Sequence, residues 1–310
     1  MRHSVPNSLK RTTKMNNKNV LIIVAAVSAA LLLGGSFIFF KDDIAQKKAD
    51  NDILPYRLTS EMQHELDVIS ADLMTETTQA AGSASPGTVT SAVADTTATL
   101  LPDEIRQSLI DSAQSLNSAY PNAIGWLYIP NTRISYPVMQ GEDNEYYLHH
   151  DFDGSPLKAG SIFLDYRCEN RLMNPINVLY GHNMRNGSML AQVTSYTTDS
   201  FFDAHRYGWL ATPDTVYRID FFSCAIADSS DSLYDGSTPS KEWIPLICEK
   251  SVVSRDMTFS DNDRFISLST CSYEFENART VLTGKLVNCE EVDKNGNDDK
   301  DALSGGIYDC

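Results

Sequence analysis

Between Ile124 and Val287 one pattern repeats: short runs of aromatic and β-branched residues, each cut off by Gly, Pro, Asn or Asp. Runs of that length and composition read as strands. Eight qualify: Gly125–Ile129, Ile134–Val138, Ser161–Asp165, Asn177–Gly181, Tyr207–Thr212, Val216–Ala227, Phe265–Thr270 and Thr280–Val287. Eight short strands in about 165 residues suggest a mainly β fold, a closed or nearly closed barrel. Residues 228–262 interrupt the rhythm and read as an insertion.

The N-terminal third is built differently. Val20–Phe40 is a run of 21 residues without a charge, long enough to cross ~30 Å of hydrocarbon as a helix. Five basic residues precede it (Arg2, Lys10, Arg11, Lys14 and Lys18). The positive-inside rule then places residues 1–19 in the cytoplasm and the body outside. A cleaved signal peptide would have a shorter apolar run ending in small residues, whereas this one ends Phe37-Ile38-Phe39-Phe40. The expectation is an uncleaved signal-anchor and a single transmembrane helix. Residues 41–101 read as a stalk and linker. Leu58, Met62, Leu66, Ile69 and Leu73 give it an amphipathic helix, and residues 75–99, mostly Thr, Ser, Ala and Gly, a flexible segment. A second helix starts near Pro102-Asp103-Glu104, shows Ile105, Leu109, Ile110 and Leu116 on one face, and stops before Tyr120-Pro121. It opens a body over residues 102–288, and residues 289–310 form an acidic, flexible tail. Asp293, Asn295 and Asn297 resemble the start of a calcium loop. The sixth position is Asp298 instead of Gly and the twelfth is Ser304 instead of Glu, so no metal is assigned there.

Charge narrows the partners. The chain carries a net −16, yet residues 1–41 hold six basic residues and no acid, so the remainder stands at −22. An acidic body is a poor match for nucleic-acid phosphates. The six cysteines form no CxxC pair and no spacing that suggests a disulfide framework. One of them is a candidate for chemistry; the others read as small core or tail residues.

That one is Cys271. It ends the apolar run Phe265-Ile-Ser-Leu-Ser-Thr, and a thiol at a strand end sits at a barrel rim. His182 likewise follows a strand, in Val178-Leu-Tyr-Gly-His182. Arg279 is the only arginine after Cys271 and stands at the start of the next strand, which returns it towards the same rim. Taken singly, each has an ordinary reading: a core thiol, a structural histidine, a surface arginine. Together they are a nucleophile, a proton carrier and an anion-stabilising fork.

These residues stand in longer motifs. Leu268-Ser-Thr-Cys271 resembles the T-L-x-T-C signature of sortases, with Ser267 where Thr is common. Tyr180-Gly-His182-Asn183-Met184 resembles the sortase histidine motif, and Arg279 falls near the expected arginine. Gly125-Trp-Leu-Tyr-Ile-Pro, Ile134-Ser-Tyr-Pro-Val138, Gln140–Leu148, Gly160–Asp165 and Cys271–Arg279 resemble segments of the class B branch. The likeness covers roughly residues 105–287. It implies an eight-stranded sortase barrel with N-terminal helices, and a transpeptidase that needs no cofactor or metal. Cys271 would attack the carbonyl after Thr in an LPxTG-like or NPxTN-like sorting motif at the C-terminus of secreted proteins. His182 would carry protons for the leaving and incoming amines, and Arg279 would bind substrate and steady the oxyanion. Positions matching Asn144, Leu148, Tyr180 and Ser269 would line the groove. The acceptor would be an amine of a peptidoglycan precursor or a pilin lysine, at the outer face of the cell membrane. One departure stands out: Ser240–Lys250 matches the helix that shapes the groove, but holds Pro245, which should shorten or kink it.

Two other functions fit parts of the pattern. A cell-wall cysteine peptidase or amidase would share the thiol and imidazole, but usually has Cys before His, the reverse of the order here. A non-catalytic surface-binding module would make Cys271 incidental.

Overall fold

The computed structural model describes residues 44–82, 101–169 and 171–289. The chain divides into two units, residues 1–48 and 49–310. Of the first unit, residues 44–48 are described, and they are helical. The apolar run Val20–Phe40 and the tail from residue 290, with Asp293, Asn295 and Asn297, lie outside the described residues. Among the described residues no helix is long and apolar enough to cross a membrane.

The second unit is a barrel. Its strands are β1 (Ala123–Tyr128), β2 (Ser135–Gln140), β3 (Ile162–Leu164), β4 (Ile176–Tyr180), β5 (Tyr207–Ala211), β6 (Val216–Asp228), β7 (Ser251–Ser254), β8 (Phe265–Cys271) and β9 (Ala278–Asn288). The sheet order is β5-β1-β2-β3-β4-β8-β9-β6-β7, with β5 also paired to β6. That extra pairing closes a ring of eight strands and leaves β7 appended to β6. The eight ring strands are the eight read from the sequence, with ends shifted by a residue or two. The ninth, Ser-Val-Val-Ser, alternates between partly buried and exposed residues and carries no aromatic, so its pattern is too short to read. Most neighbours are antiparallel, but β2 with β3 and β4 with β8 run parallel. The second of these parallel pairs places the site.

Helices cover the barrel. These are α1 (Ser60–Gly82), α2 (Asp103–Ala119), α3 (Asp199–Ala204) and α4 (Ser240–Lys250). Asp103 and Glu104 sit in the first turn of α2, where they suit the positive end of the helix dipole. Leu66, Ile69 and Leu73 of α1 and Leu109, Ile110, Ala113 and Leu116 of α2 join Trp126, Tyr128 and Trp209 in one buried cluster. With that cover on one face and the barrel interior on the other, every residue of β1 is buried. A second cluster joins Trp243, Ile244 and Ile247 of α4 to Phe222, Phe265 and Val281.

Three expectations change. The amphipathic helix assigned to the stalk packs on the barrel, where Tyr128 Oη donates to Asp67 Oδ1 at 2.6 Å and Trp209 Nε1 to Ser70 Oγ at 3.1 Å. That helix runs on through Gly82, into the stretch expected as linker; residues 83–100 lie outside the described residues. Pro245 does not shorten α4, which spans all eleven residues from Ser240 to Lys250. A proline there frees the carbonyl four residues back, and Lys241 is exposed, so water can take that carbonyl while Trp243, Ile244 and Ile247 hold the helix down. Cys248, also in α4, is disulfide-bonded, whereas Cys168, Cys224 and Cys271 are free thiols. Spacing alone cannot pair cysteines.

If α1 belongs to the barrel's core, Leu66→Ala should destabilise the full chain by about 2–5 kcal/mol. Val68→Ala, at an exposed position of the same helix, should change it by no more than about 0.5 kcal/mol. Urea denaturation of the two variants makes the comparison, and equal, small effects would mean the helix is not structural.

Candidate active site

The site begins with register. In the parallel pair β4 and β8, Tyr180 stands opposite Ser269. Two residues beyond lie His182 on one chain segment and Cys271 on the other. Gly181 N donates to Ser269 O at 3.3 Å, and Thr270 Oγ1 to Gly181 O at 2.7 Å, so the two ends stay joined past the last strand pair. The antiparallel hairpin β8–β9 then sets Arg279 opposite Cys271. Its turn closes through Asn277 at φ 63°, a left-handed conformation that asparagine tolerates better than most residues. Side chains two apart on a strand share a face. Ser269 and Cys271, Tyr180 and His182, and the cross-strand Arg279 therefore converge on one side of the rim.

His182 is half-buried, and its Nε2 lies 2.9 Å from Leu148 O. A carbonyl only accepts, so Nε2 carries the hydrogen and donates, leaving Nδ1 to exchange a proton. Gly160 passes directly beside that carbonyl. At φ 57° it lets the chain pass so close that a Cβ would meet Tyr147 O at 2.4 Å and Leu148 O at 2.6 Å. Asn183 Nδ2 donates to Cys271 O at 2.8 Å. Arg279 Nη1 donates to Asn277 O at 3.2 Å and Ala278 O at 3.0 Å, which anchors one edge of the guanidinium.

Cys271, His182 and Arg279 line a cleft of about 400 Å³ together with Asn144, Leu148, Tyr180 and Ser269. All seven residues selected from the sequence thus meet in one cavity. Asn144 is tied to the exit of β3 by Tyr166 N, which donates to its Oδ1 at 3.0 Å. Among the described residues no group of His, Cys, Asp or Glu is placed to hold a metal ion.

The structure adds residues that sequence reasoning left unassigned. Tyr234, from the insertion, lines the cleft, and its hydroxyl is 3.0 Å from Ser269 Oγ. Burial pushes the Tyr234 phenol up to about 12, so it stays neutral. Asp165 lies behind the cleft. Its Oδ2 accepts from Tyr180 Oη at 3.0 Å and from Arg167 Nη2 at 2.7 Å, and its Oδ1 from Arg167 Nε at 2.9 Å. Arg167 Nη2 also donates to Tyr234 O at 3.0 Å, linking the insertion to β3 and β4. Burial pushes the Asp165 carboxyl up, but the bonds from Arg167 and Tyr180 outweigh it and hold the group below the usual carboxylate range. Asp165 and Asn183 stood inside the quoted motifs; Tyr234 had no motif or periodicity to mark it.

A closed barrel whose rim gathers a free thiol, an imidazole and a guanidinium in one cleft defines a cysteine-dependent acyl-transfer enzyme. Comparison with known proteins agrees. The chain is 35% identical over 201 residues to sortase B of Listeria monocytogenes, covering 62% of this chain and 79% of that protein. The structure of a Staphylococcus aureus sortase B–substrate complex superposes with a TM-score of 0.55 at 27% identity, covering 58% of this chain and 86% of the other. Sortase B of Clostridium perfringens gives 0.53 at 33% identity, covering 56% and 98%. No family model matches the chain. The chain belongs to the sortase B family and is a cysteine transpeptidase.

The Asp165 network makes a stability prediction with a sign. A carboxyl whose folded pKa lies below its unfolded value of ~3.9 stabilises the fold above that value, and the contribution fades as pH falls through the folded pKa. Arg167 is half exposed, so solvent weakens the pair. Asp165→Asn should therefore cost roughly 1–3 kcal/mol at pH 7. The gap to the parent should narrow below about pH 4, read by urea denaturation at a series of pH values. A gap constant down to pH 2 would show that the charge is not what matters.

Proposed function

We propose that this enzyme cleaves an LPxTG-like or NPxTN-like sorting motif after Thr and transfers the new carboxyl terminus to an amine at the cell surface. The observation that carries the reading is the convergence of Cys271, His182, Arg279, Asn144, Leu148, Tyr180 and Ser269 on one cleft. The likeness to a sortase B caught with its substrate supports the same cleft as the motif's groove.

The chemistry runs in two halves. Cys271 gives its thiol proton to His182 Nδ1 as Sγ attacks the carbonyl carbon after Thr, and negative charge builds on the carbonyl oxygen. Arg279 faces that oxygen from across the hairpin, where a preorganised cation does most for a transition state. The peptide C–N bond breaks, and the leaving amine takes a proton from His182 Nδ1, while Nε2–H remains on Leu148 O. A thioester on Cys271 results. In the second half an acceptor amine attacks the thioester carbon and gives a proton to His182. The C–S bond breaks with its electron pair on Sγ, which takes that proton from His182 and so restores the thiol and the neutral imidazole. Tyr180 and Tyr234, held as neutral phenols, keep the groove wall apolar around polar tips, suited to a short extended peptide. Val20–Phe40 would anchor the enzyme by one N-terminal helix, with this cleft on the outer side. The secreted protein and the amine acceptor meet there.

The test uses the full chain with fluorogenic peptides of LPxTG-like, NPxTN-like and SPxTG-like sequence, with and without triglycine or a diaminopimelate-type amine. Mass spectrometry should find cleavage after Thr, an acyl group on Cys271 and an amine-dependent ligation product, all lost in Cys271→Ala. Hydrolysis that no amine diverts would instead support the peptidase reading. On the best peptide, Arg279→Ala should lower kcat/KM by about 10²–10³-fold, the usual loss for one oxyanion donor. Arg279→Lys should recover only part of it, because an ammonium lacks the fork.

A further inference from the structure

The parallel pairing of β4 with β8 ends before the residues it serves. Bonds in a parallel ladder slant and recur along each strand at every second residue. After Gly181 N on Ser269 O, the next two rungs would be Cys271 N on Gly181 O and Asn183 N on Cys271 O. Side chains reach both acceptors instead. Thr270 Oγ1 donates to Gly181 O at 2.7 Å, and Asn183 Nδ2 donates to Cys271 O at 2.8 Å. The second bond crosses at the level of the reacting residues, because Asn183 directly follows His182.

The backbone beyond His182 turns to a loop of its own. Leu190 N donates to His182 O at 3.1 Å, and Asn183 forms an antiparallel bridge with Met189. Met189 N donates to Tyr136 Oη at 3.0 Å, and Arg133 Nη1 to Asn186 O at 2.9 Å, which fasten the loop to β2 and to the turn before it. Asn183 is thus part of a braced loop, and its amide reaches from there to the carbonyl of the nucleophile itself. His182 lines the groove, whereas Asn183 lines a separate hollow with Thr194, Ser272, Tyr273 and Glu274. Asn183 therefore holds Cys271 from behind the groove.

The length of this tie matters. A backbone rung holds two strands about 4.8 Å apart. A rung made through Asn183 inserts a side chain, so the two backbones part at His182 and Cys271 while staying joined. Acyl transfer needs such a gap. The scissile carbon must meet Sγ while its nitrogen meets His182 Nδ1, so the peptide bond lies between the two groups. Without the tie the gap has no fixed width, and a misplacement of about 1 Å can cost about 10²-fold in rate.

We propose that Asn183 is a positioning residue: its amide sets the separation of His182 from Cys271, and through it the proton transfer between them. This rests on the transpeptidase reading above. Because Asn183 stands behind the groove, its loss falls on kcat and spares the binding of the sorting motif.

The experiment uses the full chain. Peptide cleavage without amine gives kcat and KM. Asn183→Ala should lower kcat about 10–100-fold, with the peptide KM within about twofold of the parent. Asn183→Asp keeps the size but sets an acceptor against Cys271 O, so it should lose at least as much. Asn183→Gln keeps the donor on a longer stem and should fall between the parent and the alanine variant. A second measurement needs no sorting peptide. The rate at which iodoacetamide alkylates Cys271 is compared in the parent, Asn183→Ala, His182→Ala and the double variant. Asn183→Ala should slow alkylation at least about threefold when His182 is present, and less than about twofold when it is absent. A general loosening of the fold would act alike in both backgrounds, so equal slowing overturns the proposal. So does a loss confined to KM, or an Asn183→Asp enzyme with the parent's kcat. Failure of the parent to cleave any sorting peptide would defeat the functional reading, while the alkylation cycle would still decide the role of the tie.

Discussion

Everything at the rim follows from the parallel pairing of β4 with β8. Antiparallel strands would send the Tyr180 and Ser269 ends in opposite directions. Parallel strands send both to the same rim, and opposite registration of Tyr180 and Ser269 puts His182 and Cys271 the same two residues beyond. A parallel pair cannot be made by a hairpin. The chain between β4 and β8 must therefore travel, and it uses that length for α3, β5, β6, α4 and β7. The hairpin β8–β9 then adds Arg279 from the next strand in sequence. Two pairings, one local and one not, thus gather three groups from distant segments onto one face.

Holding them there takes a further layer. His182 is oriented by a backbone carbonyl that the left-handed Gly160 passes too closely for any side chain. Tyr180 is held by Asp165, Asp165 by Arg167, and Arg167 reaches on to the Tyr234 carbonyl. Tyr234 closes the circuit on Ser269 of β8. The insertion is therefore attached to the barrel at the groove by polar bonds, and behind it by the apolar cluster around Trp243 and Phe265. Cluster and network both hold the fold together, and the network also ties the Tyr180 and Tyr234 hydroxyls at the cleft wall.

The sequence showed the ring strands and the reacting residues well, because both leave local marks. Strand periodicity and its bounding Gly, Pro and Asn are short-range, and so are the motifs around Cys271 and His182. What it hid depends on contacts made at long range. The helix around Leu66 reads equally well as a stalk or as a cover, since amphipathicity says that a face is buried but not against what. Tyr234 gains its role from a partner 35 residues away, and β7 from pairing with a bulged β6. Pro245 leaves the helix at its full length: the rule against proline concerns a carbonyl left unmet, and Lys241, whose carbonyl it frees, is an exposed residue.

The parts also differ in how freely they can vary. Cys271 and Arg279 sit on ring strands, where moving either means breaking the ladder of β8 and β9. Asn144 and Leu148 come from the loop before β3, and Tyr234 from the insertion, where length and sequence can change without opening the barrel. The ladder thus fixes Cys271 and Arg279, and loops carry Asn144, Leu148 and Tyr234. The peptide recognition proposed above is then free to vary through those loops while the pairing of β8 with β9 stays fixed.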